Sequence, residues 1–538
     1  MRFKSFAAGV AAFSLAVSAP AQDVPAEPAF TANAFRAHVA FLADDRLEGR
    51  DAGSRGYDLA ALYVASRFEA LGLKPGMGES WYQQVPFVEH KLGDTPASLA
   101  IGGTRFANGE GVSITSRPGT GGPTESGAVF VGYGLDAPDL GFNDYRGIDA
   151  RGKIVAVLSG VPAGLPSDVT AHLNSEKRRM AEARGAIGIV TIRTPAEQAR
   201  RPWGSVVRGG NASSLAWVGG DGAPFVYGGG AGLRATLDSA AAEALFKGSR
   251  RSLAAVMKQA ARPGARPRGF ALKPRLAFSQ QSSTRTLSSP NVLAILPGSD
   301  PKLAGEYVVL MAHLDHVGVD PDREGDKIFN GAMDNATGIA TMLEVARAMA
   351  EAPVKPRRSI LFAAVTAEED GLLGSQYLAR NPVSGGKVVG VVNLDMPVLL
   401  YDFTDVIAFG AEHSTLGPIV ARAAARMGIA LIDDPLPQEG LFTRSDHYNF
   451  VREGVPSAFL MTGFAGEGRV QFTNFLRTHY HKPSDDLNLP INWNAGAKFA
   501  RINYLIAREI ADGDARPLWY RDSFFGKTVA AGQEKAER

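Results

Sequence analysis

The chain has 538 residues, with 57 Lys+Arg against 55 Asp+Glu, 61 Gly, 32 Pro and no cysteine. At roughly 100–200 residues per domain, this length allows two to four domains, each with its own core, and 45% apolar with 21% charged residues excludes a disordered or collagen-like chain. A net charge of +2 gives no electrostatic footprint for nucleic acid, while the lack of cysteine excludes disulfides, zinc ribbons, cysteine nucleophiles and an acylated lipoprotein anchor.

The first element is a leader. Arg2 and Lys4 precede an apolar run from Phe6 to Ser18, and Ala19-Pro20-Ala21 supplies a small-residue cleavage site, so residues 1–21 read as a secretory signal peptide. About 14 apolar residues fall short of the roughly 18–20 needed to span a bilayer, and no later run is longer. The expectation is an exported chain, periplasmic or secreted, with no stable membrane insertion once the signal is removed. Ala32 to Ala43 and Tyr57 to Leu71 follow as amphipathic helices, the second with Leu59, Leu62, Val64, Phe68 and Leu71 near one face. From about Ser113 to Leu272, short strand-like runs at Ala128–Val131, Lys153–Leu158 and Ala186–Ile192 alternate with Gly- and Pro-rich loops. Helices are expected there only around Ala171 to Ala183 and Ser239 to Lys247. The basic stretch Lys258 to Arg268 reads as a linker.

After Pro290 the pattern becomes strand, loop, helix, repeated. Strands are expected at Asn291–Leu296, Glu306–Ala312, Ser359–Val365, Val388–Val392 and Pro456–Met461, with helices at Thr337–Ala350 and Leu372–Ala379. Continuous apolar strands alternating with helices predict an α/β fold, a sheet covered by helices on both faces. In such sheets ligands bind outside the carboxyl ends of the strands. Here one strand runs into His313, another into Glu368 and Glu369, and a third through Asn393 and Leu394 into Asp395, while Asp334 sits just before a helix. Without cysteine, a metal has only His and carboxylates to bind it, and these residues offer both.

His313-Leu-Asp-His316, Asp334-Asn335, Glu368-Glu369-Asp-Gly-Leu-Leu-Gly-Ser375, Asn393-Leu-Asp-Met396 and Tyr480-His-Lys-Pro-Ser-Asp485 resemble, in order, the signatures of peptidase family M28, the co-catalytic di-zinc aminopeptidases related to glutamate carboxypeptidase. Phe130-Val-Gly-Tyr-Gly134, Asn143-Asp-Tyr145 and Arg151-Gly-Lys-Ile-Val155 resemble the protease-associated domain that many members carry as an insert. The resemblance implies a mixed sheet of the zinc-exopeptidase type. It divides the chain into the signal (1–21), the first part of the catalytic domain (22–112), the β-rich insert (113–272), the main catalytic part (273–515) and a tail (516–538). It implies two Zn²⁺ per chain, one held by His313 and Asp395 and the other by Glu369 and His481, with Asp334 bridging them. Glu368 would then be the general base, Tyr480 the hydrogen-bond donor to the developing oxyanion, and Asp315 the residue that orients the His313 imidazole. A bridging carboxylate suits the chemistry, because two dications about 3.5–4 Å apart repel unless an anion lies between them.

Asp446 and His447, in Arg444-Ser-Asp-His-Tyr448, match a segment near the family's substrate pocket without a fixed role, and His316 and His479 stay unassigned. His38, His90, His172 and His413 read as ordinary surface or hydrogen-bonded residues. Gly147 to Lys153 spells most of a phosphate-binding loop, but Ile154 replaces its Ser/Thr and a strand follows rather than a helix. No H-E-x-x-H and no G-x-S-x-G occurs, which excludes a thermolysin-like site and argues against a nucleophile elbow. The expected partners are peptides, with N-terminal residues released. The alternatives are a carboxypeptidase of the glutamate-carboxypeptidase type using Arg444, Arg452, Arg469 or Arg477 as a carboxylate clamp, a glutaminyl-cyclase-like acyltransferase with one zinc, and a non-catalytic receptor-like binding protein with none.

Overall fold

The computed structural model describes residues 27–93, 97–116, 121–227 and 232–538; the signal peptide read at 1–21 lies outside them. Ten strands make the main sheet. Its middle is parallel, in the order Ser359–Val365, Glu306–His313, Lys387–Leu394 and Ser457–Thr462. Antiparallel strands Ser282–Leu296 and Asp405–Phe409 flank this quartet. The middle strands are apolar throughout because both of their faces are buried. Val308, Leu310 and Ala312 face a large core shared with the helices Thr337–Glu351 and Trp493–Asp512. Tyr307, Val309 and Met311, the alternate residues, face a smaller core with Leu378 and Phe450. This is an α/β sheet covered on both faces, as the strand pattern predicts, and it is mixed, as the family resemblance implies.

Element bounds follow the sequence closely in this region and depart from it elsewhere. Helix Arg55–Ala70 buries Tyr57, Ala60, Ala61, Val64, Ala65 and Phe68, while Leu62 is 58% exposed. The buried face is therefore set by small alanines that let the helix lie close, not by the leucines. Residues 516–538, which carry no sequence-level element, are packed. Trp519 and Phe525 are fully buried, and the Trp519 indole N–H donates to the Gly454 carbonyl at 2.9 Å.

A second core is built by the chain between the first strands of the main sheet and Ser282–Leu296. It includes Leu99 and Ile101 on one side and Leu276 and Phe278 on the other, so it reaches beyond 113–272 at both ends. Its principal sheet contains a second parallel quartet, Ala128–Phe130, Ile154–Leu158, Gly188–Ile192 and Leu233–Leu237. One strand of the same stretch, Ser214–Trp217, instead pairs with Tyr82–Leu92 at the edge of the main sheet. Helices Pro195–Arg200, Trp203–Asn211 and Leu253–Ala260 join the two expected ones. Two of these three have local start signals: Thr194 and Ser252 accept backbone N–H groups of the first turn, and Pro195 sets its opening angle. No helix among the described residues is long and apolar enough to cross a membrane.

Candidate metal centre

His313 is the last residue of its strand, Asp395 follows Leu394, and Glu368 and Glu369 lie just past Val365, so three neighbouring parallel strands deliver these side chains to one place. Asp334 comes from the buried turn before helix Thr337–Glu351. His313 Nε2 lies 3.2 Å from Asp395 Oδ1 and 3.3 Å from Asp334 Oδ1. On the other side of Asp334, His481 Nε2 lies 3.3 Å from Asp334 Oδ2 and 3.0 Å from Glu369 Oε2. His316 Nδ1 is 2.7 Å from Glu369 Oε1. Among the described residues, His313, Asp334 and Asp395 form one set of converging donors, and His316, Asp334 and Glu369 form another, each with its donor atoms within 4.8 Å of one another. Asp334 belongs to both sets. Ala367, Met396 and His481 all hold positive φ, a conformation that side-chain-bearing residues keep only where the surroundings impose it.

The backbone around the cluster is fixed by buried polar side chains. Asp315 is buried, and its two carboxylate oxygens accept the N–H groups of Glu368 and Glu369, each at 3.1 Å. The orientation of His313 comes from the Asp315 main-chain carbonyl, 3.1 Å from Nδ1, which leaves Nε2 facing the carboxylates. Asp485 does for Asp334 what Asp315 does for the two glutamates. It accepts the N–H groups of Met333 and Asp334 at 2.8 and 3.0 Å. Arg50, fully buried, donates to the carbonyls of Leu314, Asn330 and Gly331 at 2.9, 2.5 and 3.1 Å, and also to Leu42. It thereby ties the His313 loop to the Asp334 turn. A Cβ at Gly331 would collide with the His316 ring and the Asp334 carbonyl, and one at Gly338 with Asn335 and the Leu394 carbonyl. Both glycines, which flank Asp334-Asn335 in the sequence, are therefore required by close approach.

The electrostatics follow from burial of many charges in one place. Burial pushes the Glu368 carboxyl well above the usual range and does the same to Asp315. It also pushes Asp334 up, but hydrogen bonds from His313 and His481 and the charge of His316 outweigh it, holding that carboxyl well below its usual value. The imidazoles respond in the opposite sense. Burial opposes charge on His481, yet Asp334 and Glu369 raise it to about 10, and Glu368 and Asp395 raise His313 against the same penalty. The carboxylates thus favour positive charge placed between them. Imidazole nitrogen with carboxylate oxygen is a donor set that suits zinc, and a carboxylate shared by two sets is what a pair of dications requires. The residues fit the metal.

Beside the cluster opens a cavity of about 240 Å³ lined by His313, Asp334, Glu368, Asp395 and Tyr480. Its remaining wall is apolar, from Met396, Leu441, Phe459, Met461, Phe472 and Leu476, apart from Ser445 and the facing pair Arg444 and Glu439, whose charged groups are 3.9 Å apart. The Tyr480 and His481 rings lie side by side, centroids 3.9 Å apart and tilted by 30°. Of the four arginines considered as a clamp, only Arg444 reaches this cavity. Arg452 lies over the Tyr448 and Tyr227 rings, Arg469 over Phe464, and Arg477 donates to Asn474. In the Arg444–Tyr448 segment it is Ser445 that touches the centre, donating to Asp395. Asp446 and His447 are fully buried, and His447 packs against Phe442 and Phe459.

Sequence reasoning missed Asp485, Arg50, Ser445 and the contact of His316 with Glu369. Asp485 closes a motif that was read for its histidine, and His316 stands three residues after a candidate ligand, so both carried some signal. Arg50 lies more than 260 residues before the carbonyls of the His313 loop that it binds and carried none.

Residues 291–507 match the family model for Peptidase family M28. Aminopeptidase Y of Saccharomyces cerevisiae is 28% identical over 260 residues, covering 47% of this chain and 42% of that protein. A probable zinc metalloprotease of Pyrenophora teres f. teres is 40% identical over 108 residues, covering 20% and 22%. The chain spans less than half the length of these curated relatives. Among solved structures, the aminopeptidase from Aneurinibacillus sp. strain AM-1 is similar, with a TM-score of 0.50 and 21% identity over 90% of this chain and 94% of that one. That likeness is one of fold.

Proposed function

From the membership of residues 291–507 in peptidase family M28, we propose that the chain is an exported zinc aminopeptidase that uses two metal ions to remove N-terminal residues from peptides. The observation that carries the reading is Asp334, whose two oxygens face separate donor sets, with Glu368 and Tyr480 on the wall of the adjoining cavity. His313 and Asp395 would hold one ion and Glu369 and His481 the other, with Asp334 between them; His316 would keep Glu369 aimed through its second oxygen. Zinc bound there would supply Lewis acidity and lower the pKa of water.

The rest is the work of side chains. Glu368, on the cavity wall beside both donor sets, would take a proton from the attacking water and return it to the departing amine. Asp315 does not touch the reacting atoms in this scheme; it is a positioning residue that holds the Glu368 and Glu369 amides. Tyr480 supplies a phenol O–H toward the developing oxyanion. The apolar wall selects an apolar side chain on the residue to be released, and a free amine has Glu368, Asp395 and Glu439 nearby as acceptors.

A carboxypeptidase would need a cationic clamp for the terminal carboxylate, and among the described residues the one arginine lining the cavity faces Glu439. The test is a matched peptide series with the zinc-loaded protein. Acetylating the N-terminus should stop hydrolysis, amidating the C-terminus should leave it unchanged, and leucine should be preferred over aspartate at the first position. The reverse blocking pattern would make the protein a carboxypeptidase and place Arg444 at its centre. The exported location rests on the N-terminal charge-and-apolar pattern, and an antibody against the chain should find it outside the cytoplasm.

A further inference from the structure

A second and larger cavity, of about 880 Å³, lies between the two cores, and its charge is opposite to that of the first. Among the described residues, seven Lys and Arg side chains line it against a single carboxylate, Glu197. Three of the seven have carboxylate partners: Arg200 with Glu197 at 2.8 Å, Arg178 with Glu182 at 3.1 Å and Arg452 with Glu176 at 3.5 Å. The other four have no carboxylate partner among the described residues. Lys177 is buried and donates to the carbonyls of Leu158 and Gly160. Arg193, also buried, donates to the carbonyls of Arg201 and Glu197, and its Nε has no partner among the described residues. Arg201 donates to the Ser205 carbonyl. Arg234, on the strand Leu233–Leu237, makes no side-chain hydrogen bond or ion pair among the described residues. Carbonyls satisfy hydrogen-bonding groups but carry no net charge to pair with a cation; Lys177 and Arg193 also lie over the rings of Tyr133 and Trp203.

The place is also where this kind of sheet takes its ligands. Ser159 and Gly160 follow the carboxyl end of Ile154–Leu158, and Arg193 follows that of Gly188–Ile192, two neighbouring strands of the second parallel quartet. All three line the cavity, in the position that an α/β topology reserves for ligands. Ser159, whose Oγ lies 3.1 Å from Thr194 Oγ1, adds a hydroxyl to the same rim. The lining also includes Gly371, from the turn that follows Glu368 and Glu369, and Leu373 and Gln376 of the helix Leu373–Arg380 after it. Burial drives the Lys177 amine down to about 7, a penalty that an incoming anion would relieve, and neighbouring Arg178 adds like charge beside Arg234.

We propose that this cavity is a binding site for a small polyanion, a molecule whose phosphoryl or clustered carboxylate oxygens engage Lys177, Arg193 and Arg234. Guanidinium groups match such oxygens with paired N–H donors, and a cleft lined by one sign of charge concentrates the opposite sign. The site does not depend on the peptidase reading, and it is tested by binding rather than turnover.

The experiment is calorimetric titration of the full, zinc-loaded chain with inorganic pyrophosphate and, separately, with citrate, using wild type, Arg234→Gln and Arg234→Glu. Arg234 has no polar side-chain partner to lose, so both variants should melt at the wild-type temperature without anion. The expected result is that at least one probe binds wild type, with Kd at least tenfold weaker in Arg234→Glu and intermediate in Arg234→Gln. Tighter pyrophosphate assigns a phosphoryl-bearing ligand and tighter citrate a polycarboxylate; either supports the site. An anion captured at the zinc centre would bind wild type and Arg234→Glu equally. That result, or no binding of either probe to wild type, overturns the proposal.

Discussion

The molecule contains two parallel strand quartets, and their carboxyl ends carry opposite chemistry. In the main sheet the strands deliver His313, the Glu368–Glu369 pair and Asp395; in the second sheet they deliver Ser159, Arg193 and Thr194. The supporting backbone is inverted to match. Acids at the first site are held by amides, as Asp315 holds the N–H groups of Glu368 and Glu369 and Asp485 those of Met333 and Asp334. Bases at the second are held by carbonyls, as Leu158 and Gly160 hold Lys177. The topology fixes where a ligand can sit, and the side chains at the strand ends fix the sign of what is attracted.

Removing the anion common to both donor sets should break the first site most completely. Asp334→Ala should abolish hydrolysis of a free-amine peptide, with zinc per chain falling by metal analysis. Chelation of wild type should do the same, and added Zn²⁺ should restore activity only in wild type. Turnover by Asp334→Ala at the wild-type rate would remove Asp334 from the centre. Glu368→Gln comes next. It preserves shape and leaves the amide clamp of Asp315 in place, so zinc content should hold while kcat falls by about 10²–10⁴-fold, the usual span for a lost general base. Loss of zinc with unchanged turnover per ion would mean that Glu368 and Glu369 have exchanged roles.

A smaller effect sharpens the part of the comparison that concerns backbone support. Asp485 touches no candidate ligand atom, only the amides that position Asp334. Asp485→Asn keeps one acceptor oxygen and loses the other, and zinc affinity measured by chelator competition should fall roughly 10–100-fold, the range for groups that orient a ligand. Glu368→Gln should leave that affinity unchanged. Equal affinity in Asp485→Asn and wild type would reduce Asp485 to a packing residue.

How far the sequence disclosed each region follows from the kind of signal each one uses. The main sheet was legible because two buried faces demand unbroken apolar runs, and Ser359–Val365 is such a run with the same bounds in the structure. The candidate ligands were legible because they sit next to those runs. Arg50 was not, since a lone arginine before an amphipathic helix looks like any solvated charge until the fold carries it to Leu314 and Gly331. The second core was harder for a related reason. Strands such as Ala128–Phe130 span only 3 residues, too few to show a period, and its cationic cavity is assembled from the side chains of separate elements. Its short helices begin at caps, Thr194 and Ser252, that are common in loops.

The smallest effect lies at the junction of the two regions and concerns stability alone. His172, on helix Ser167–Ala183 of the second core, inserts its ring among Tyr448, Phe524 and Phe525, with centroids 6.3, 5.3 and 5.7 Å away. Its Nδ1 is hydrogen-bonded to the Tyr448 hydroxyl. Burial among these rings pulls the imidazole down to about 4, against a weaker upward pull from Glu176. The folded value is thus below the ordinary one near 6.5. The stabilisation is therefore fully present above pH 6.5 and is lost as the pH falls toward 4, because acid puts a proton on the unfolded imidazole before the folded one. At pH 5 this amounts to roughly 1–2 kcal/mol. His447, pulled down to about 3 by burial inside the main core, adds a loss of the same sign, so wild type alone cannot apportion the effect. His172→Gln can accept or donate toward the Tyr448 hydroxyl but does not titrate. Urea unfolding at pH 7 and pH 5 should show a smaller drop in stability for this variant than for wild type. An identical drop would place the acid sensitivity in His447 or the carboxylates and leave the junction indifferent to pH.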